Sequence, residues 1–122
     1  MEIQTICKNL GESGCLAFCD LFLIGIDEIE LIKNFNRLVS RGILGKDCYV
    51  IDHNALINFF GCHGNYAKSD KIPKDKYYIA NYEYMGKNHF VVELNGTIIY
   101  NSLDYSKCVS FGKKSKEVRF IS

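Results

Sequence analysis

The sequence predicts an α+β fold in which helices come first and an antiparallel sheet follows. Residues 14–42 carry apolar side chains at the spacing of amphipathic helices. From residue 75 the chain changes to aromatic and β-branched runs with a strand-like alternation. An Asn95–Gly96 pair between two such runs is the strongest short-range signal for a β-hairpin. We therefore expect N-terminal helices packed on an antiparallel sheet of about four or five strands, which is the usual sheet size.

Three helices are predicted in the first half of the chain. Each has a capping side chain or a dipole-compatible charge at its start and a glycine at its end. Ser13 can cap the first helix, and Asp52 can cap the third. The predicted helices run from Gly14 or Cys15 to Gly25, over 27–42 and over 53–61.

The second half of the chain is predicted to form strands. Tyrosine, valine and isoleucine are good strand formers, and they are concentrated here. The short segment 47–52 is a further candidate for extended structure. The predicted strands are 76–85, 89–94, 97–102 and 117–121.

Length, charge and cysteine content restrict the class of protein. A chain of 122 residues suits a single domain over 1–122 with one core. The formal net charge of +1 favours no class of partner. The longest apolar run, 21–26, is far shorter than the roughly 20 residues of a membrane span, and no signal peptide is evident, so we expect a cytoplasmic protein without membrane contact. The six cysteines are then expected to be reduced thiols.

Cys15 is the strongest candidate for a reactive residue. It follows a glycine and lies at the predicted start of a helix, where unpaired N–H groups can lower the pKa of a thiol. A thiol nucleophile also requires an imidazole as proton carrier, a polar group that orients the imidazole, and N–H donors for an oxyanion. The backbone N–H of Cys15 can serve as one such donor. Five other cysteines without an evident role allow the alternative that Cys15 is only a small buried side chain.

His89 and Asn101 can supply the remaining two roles of a triad. A hairpin closed at Asn95–Gly96 pairs positions whose numbers add to 191, so His89 is expected opposite Ser102. Asn101 then lies within reach of the His89 ring. Asp104 is a second candidate for the orienting residue.

These residues resemble the papain-like (clan CA) cysteine peptidases. The stretch 13–18, SGCLAF, is similar to the motif at the start of their cysteine-bearing helix. The stretches 88–94, NHFVVEL, and 98–104, IIYNSLD, resemble the histidine and Asn/Asp strands of the bacteriocin-leader-processing (double-glycine) peptidases. The segment 42–61 is similar to that branch and to an uncharacterised family of small bacterial and phage-borne proteins. The resemblance covers about residues 9–105 and implies a papain-like fold with a Cys–His–Asn/Asp triad.

The resemblance also implies an oxyanion donor before the cysteine, and here the sequence departs from the family. The family carries a glutamine about six residues before the nucleophile, whereas this chain has Asn9 at that position. Asparagine donates the same amide N–H from a side chain that is one methylene shorter. We therefore assign Asn9 to the catalytic set as the second oxyanion donor. Gln4 lies too far from Cys15 to replace it.

Three alternatives to a peptidase remain open. Cys15, Cys19, Cys62 and His63 could bind zinc, but their spacing is not that of a usual zinc knuckle, and no metal or other cofactor is predicted. The lysine- and tyrosine-rich run 74–87 could stack on nucleic-acid bases, although packing of its tyrosines on the helices is the simpler interpretation and nucleic acid is not an expected partner. A non-catalytic papain-like protein that binds a host protein is the third.

The predicted function is hydrolysis of a peptide or isopeptide bond by thiolate attack. Cys15 is the nucleophile, His89 the proton carrier and Asn101 its orienting partner, with Asp104 as the second candidate. The expected partner is a peptide or protein substrate. The sequence gives no indication of the oligomeric state.

Overall fold

The computed structural model describes residues 14–102 and 106–122, and within them the chain is a mixed α+β fold. These described residues contain five helices and one sheet of five strands. The helices are α1 (Gly14–Leu23), α2 (Ile29–Lys33), α3 (Phe35–Ser40), α4 (His53–Phe59) and α5 (Lys107–Phe111). The strands are β1 (Tyr66–Ser69), β2 (Tyr78–Tyr84), β3 (Lys87–Leu94), β4 (Thr97–Tyr100) and β5 (Lys113–Ile121).

The sheet is antiparallel, with the strand order β1-β5-β2-β3-β4. The predicted hairpin is present between β3 and β4. Both turn residues, Asn95 and Gly96, have positive φ values of 49° and 86°, as a tight hairpin with native strand twist requires. The predicted α+β class and the antiparallel sheet of about five strands are confirmed, whereas the order of helices first and strands second is interrupted by α5, which lies between β4 and β5.

Side-chain alternation divides the core between the two faces of the sheet. On one face, Leu16 and Cys19 of α1 pack against Ile79 and Val92. On the other face, Tyr78, Ala80, Val91 and Val118 form a second cluster, with Val109 of α5 packed against it. The helical layer has its own cluster, which joins α1 to the helices that follow it and includes Leu21, Leu31, Leu38 and Leu56. The sheet is thus covered by α1 on one face and by α5 on the other.

The structure corrects three details of the predicted elements. The helix predicted over 27–42 is divided at Asn34, whose side-chain amide donates to the carbonyl oxygen of Glu30 at 2.8 Å. The strand predicted over 117–121 begins four residues earlier, at Lys113. Strand β1 and helix α5 were not predicted, because both are short and depend on contacts with β5 and β2 that lie far away in the sequence.

Candidate functional site

Cys15 lies in the first turn of α1 and against the start of β3. Strand β4 pairs with β3 only at Val92–Leu94, so within the described residues one edge of the first half of β3 is not paired with a strand. Two cysteines of α1 contact the backbone of β3 here. The thiol of Cys19 donates to the carbonyl oxygen of Phe90 at 3.3 Å, and the backbone amide of Phe90 faces the thiol of Cys15. The predicted nucleophile therefore contacts the residue that follows His89.

The electrostatic state of Cys15 differs from the simple helix-start expectation. Burial raises the pKa of the Cys15 thiol, and the backbone amides of Phe90, Leu16 and Cys15 itself oppose this effect without cancelling it. The side chain is only 2% exposed. In the absence of a ligand the thiol is consequently protonated at neutral pH, because loss of hydration penalises the thiolate more than the amide dipoles stabilise it.

His89 and Asn101 form the pair that the sequence predicted. Nε2 of His89 lies 2.7 Å from Oδ1 of Asn101, which is a short hydrogen bond between a ring N–H and an amide oxygen. Burial lowers the pKa of His89, and the bond to Asn101 partly offsets that effect. The imidazole is thus neutral at neutral pH, and donation from Nε2 leaves the lone pair on Nδ1.

The register that brings this pair together is not the predicted one. Near the turn the pairing follows the predicted sum, with Leu94 opposite Thr97, but a β-bulge then places Tyr100 opposite Val92. The extra residue shifts the rest of β4 by one position. Asn101 consequently turns to the face of the sheet that carries His89, whereas an unbulged hairpin would place Ser102 there.

Cys15 also lines an open cleft of about 540 Å³. Its floor and walls come from α1, the loop before α4, and the strands β1, β3 and β5. His89 and Asn101 are not among the residues that line it, although Asn88 and Phe90 on either side of His89 are. The side chains that line it include Tyr49, Ile51, His53, Lys68, Lys87, Phe90 and Arg119.

A second polar group in the cleft was missed by the sequence analysis. Asp20 of α1 is fully buried, and its Oδ2 lies 2.5 Å from Nδ1 of His53 at the start of α4. The His53 ring stacks on Tyr66 with 4.1 Å between ring centroids. Burial raises the pKa of Asp20, and the bond to His53 opposes this shift. The signal that could have revealed this group is a lone carboxylate inside the apolar run of α1, because such a charge requires a partner.

A buried polar network supports the strand that carries His89. Glu93 is fully buried and accepts hydrogen bonds from Tyr78 at 2.9 Å, Tyr82 at 2.5 Å and Lys114 at 2.8 Å. Tyr82 is also the residue opposite His89 in the β2–β3 register. Burial alone would raise the pKa of Glu93, but Lys114 and the two hydroxyl groups outweigh it and hold that pKa below its ordinary value.

Asn9 and Asp104 lie outside the described residues, as does the predicted capping residue Ser13. Across residues 14–102 and 106–122, no group of three or more His, Cys, Asp or Glu side chains could hold a metal ion. His63, from the zinc alternative, instead accepts a hydrogen bond from Asn58 at 2.9 Å. In the same part of the chain, no helix is long and apolar enough to cross a membrane.

Comparison with known proteins identifies the family but not its activity. The family model described as "Protein of unknown function, DUF261" matches residues 2–120. The chain belongs to this family. No curated protein and no solved structure matches it. The matched part of the DUF261 chain contains the whole site described above, from Cys15 to Arg119.

Proposed function

We propose that this DUF261 protein is a cysteine hydrolase that cleaves a peptide or isopeptide bond. The observation that carries the proposal is the 2.7 Å bond between His89 and Asn101, together with a cysteine in the first turn of a helix that contacts Phe90, the residue after His89. We further infer that the described α+β fold is a papain-like core, in which the cysteine-bearing helix lies along the strand that carries the histidine.

The proposed reaction begins with proton transfer from Cys15 to Nδ1 of His89. The sulfur then attacks the carbonyl carbon, and the oxyanion that forms accepts hydrogen bonds from the Cys15 backbone N–H and from Asn9. The imidazolium returns the proton to the leaving nitrogen as the C–N bond breaks, which leaves a thioester. Water attacks the thioester, again with His89 as base, and releases the carboxylic acid and the thiol.

The pKa directions support a general-base mechanism in place of a resting thiolate–imidazolium pair. Burial raises the pKa of Cys15 and lowers that of His89, so both groups are neutral before substrate arrives. Proton transfer then accompanies attack. The His89 ring must come within hydrogen-bond reach of the sulfur during the reaction, and catalytic contacts of this kind commonly tighten only when substrate is bound.

Selective alkylation tests the proposal. Cys62 is more exposed than Cys15. With a limiting dose of iodoacetamide at neutral pH, Cys62 reacts first if exposure decides the rate, and Cys15 reacts first if its thiol is activated. We expect Cys15 to react first, as determined by mass mapping of the labelled peptides. The substitution His89→Ala should lower the alkylation rate of Cys15 about 100-fold, which is at the lower end of general-base contributions, and should leave the alkylation rate of Cys62 unchanged. Labelling of Cys62 alone, or a Cys15 rate that is insensitive to His89, argues against the enzyme.

A non-catalytic binding protein is the second candidate. The raised pKa of the buried Cys15 thiol is the observation that favours it. The two functions differ in the consequence of Cys15→Ala, which should abolish the biological effect of a hydrolase with little change in stability. A cellular phenotype that survives this substitution supports the binding protein.

A further inference from the structure

The cleft beside Cys15 has cationic walls. Lys68 of β1, Lys87 of β3 and Arg119 of β5 line it together with His53. No aspartate or glutamate is found among its lining residues in the described part of the chain. A concave site lined by charges of one sign concentrates ligands of the opposite sign. The charge of the cleft therefore favours an anionic ligand.

Arg119 is held in place but is not saturated by its protein contacts. Its guanidinium carbon lies 5.0 Å from the centroid of the Phe90 ring, and its side chain is 16% exposed. The ion pair with Glu117 is long, at 3.9 Å, and the Glu117 side chain is 53% exposed. Such an exposed pair is weak. The guanidinium also donates to Nε2 of His53 at 3.5 Å and interacts with the Tyr66 hydroxyl. Its remaining N–H groups are available for a planar anion.

His53 lies beside Arg119 in the wall of the cleft, and Asp20 fixes its orientation. Because Nδ1 of His53 faces the buried carboxylate at 2.5 Å, Nε2 is directed toward Arg119, whose Nη1 is 3.5 Å away. The ring cannot rotate freely, since it also stacks on Tyr66 at 4.1 Å. Asp20 lies behind His53 and is fully buried, so it orients the ring without placing a carboxylate on the cleft surface.

We propose that this cleft binds a carboxylate group of the substrate between Arg119 and Lys68, beside His53 and next to the sulfur of Cys15. The exposed apolar side chains of Tyr49 and Ile51 also line the cleft, at 59% and 58% exposure. They suit an organic ligand better than an inorganic anion. The volume of about 540 Å³ is that of a typical small-ligand site. That the carboxylate belongs to a substrate rests on the proposed hydrolase, whereas the anion site itself does not.

Two alkylating reagents of nearly equal size test the site without knowledge of the substrate. Iodoacetate carries a carboxylate, and iodoacetamide carries a neutral amide in its place. The rate of each with Cys15 is divided by its rate with N-acetylcysteine, which removes intrinsic reactivity. We expect the normalised ratio of iodoacetate to iodoacetamide to be about 10, the effect of one charge-assisted hydrogen bond. A ratio of about 1, as for a thiol without a neighbouring anion site, overturns the proposal.

Substitutions of single charged residues show which side chains cause the preference of Cys15 for iodoacetate. Arg119→Gln and Lys68→Gln should each lower the ratio, and Lys116→Gln is the matched control because it removes an exposed charge from β5 outside the cleft. Thermal unfolding checks that each variant is folded. If Arg119→Gln is unfolded, the exposed Lys68→Gln decides the question. An equal fall of the ratio in Lys116→Gln would indicate only general attraction to a positive surface and overturns the site.

Small ligands distinguish the source of the carboxylate. N-acetylglycine presents a terminal carboxylate, N-acetylglutamate α-amide presents a side-chain carboxylate, and N-acetylglycine amide is the neutral control. Each is tested for protection of Cys15 from iodoacetamide. Protection by either acid and not by the amide supports the site, and the stronger protector identifies the source. Protection by none, or by all three equally, contradicts it.

The two proposals can fail separately. If Cys15 reacts with neither reagent, the hydrolase fails, and NMR titration of the Arg119 Nε–H signal with the two acids then tests the anion site. A shift that saturates, and that is absent with N-acetylglycine amide, supports the site. No shift overturns it. If Cys15 reacts readily but without preference for iodoacetate, the hydrolase stands and the carboxylate site is wrong.

Discussion

The buried carboxylate of Glu93 should contribute strongly to stability, and Glu93→Gln measures how much. The substitution preserves the shape of the side chain but removes the charge that accepts from Lys114, Tyr78 and Tyr82. Breaking a buried ion pair costs about 3–5 kcal/mol. Lys114 is 34% exposed and regains hydration, so we expect a loss of about 3 kcal/mol. With an unfolding entropy of about 2 cal/mol/K per residue, this loss lowers Tm by about 12 °C.

Thermal unfolding followed by circular dichroism at neutral pH is the assay. Lys114→Met and the double variant complete a cycle that isolates the coupling between the two residues. Since the pKa of Glu93 is lowered in the folded state, its contribution is complete above its ordinary value of 4.5 and is lost as pH falls through the folded value. The difference between wild type and Glu93→Gln should therefore shrink only in acid. A change in Tm below about 3 °C, or additive single effects, would refute the reasoning.

Three further predictions concern the site and the turn before β5. Asn101→Ala removes the 2.7 Å bond to His89 and should slow alkylation of Cys15 about tenfold, with Asn101→Asp recovering part of the rate. Since burial lowers the pKa of His89 and raises that of Cys15, the rate with iodoacetamide should be nearly level around neutral pH, where neutral His89 acts as base, and should rise further only in alkali as the thiol ionises. A rate that falls from acidic to neutral pH contradicts this. Gly112→Ala places a methyl group 2.3 Å from two backbone carbonyl oxygens and should cost about 2–3 kcal/mol in urea unfolding, whereas the exposed Ser110→Ala should change little.

Local sequence signals predicted most of the elements, and non-local contacts explain the exceptions. The hairpin at Asn95–Gly96 and the cap at Asp52, which accepts from the amide of Ala55 at 3.0 Å, depend on neighbouring residues and were readable. The division of the helix at Asn34 could not be predicted, because asparagine is compatible with a continuous helix and with a break. The hydrogen bond from its side chain to Glu30 favours the break. Strand β1 has four residues and forms because β5 pairs with it.

The candidate site was predictable in composition but not in chemical state. Residue order and the hairpin predicted that His89 and Asn101 lie close together, and the structure places them in contact. The protonation of Cys15 was not predictable, because it depends on how far the folded chain excludes water from the thiol. The cleft group of Asp20, His53 and Arg119 joins three distant segments, so only the isolated charge in α1 indicated it.

The bulge in β4 makes the His89–Asn101 pair depend on whether the number of residues after the turn is odd or even. The two residues are twelve apart in the chain, and one residue of β4 between them has no paired residue on β3. Deleting a single residue from this strand would leave every polar side chain of the pair in the sequence and still send the amide to the far side of the sheet. A relative with a strand of different length would need its polar residue moved by one position to keep the same partnership.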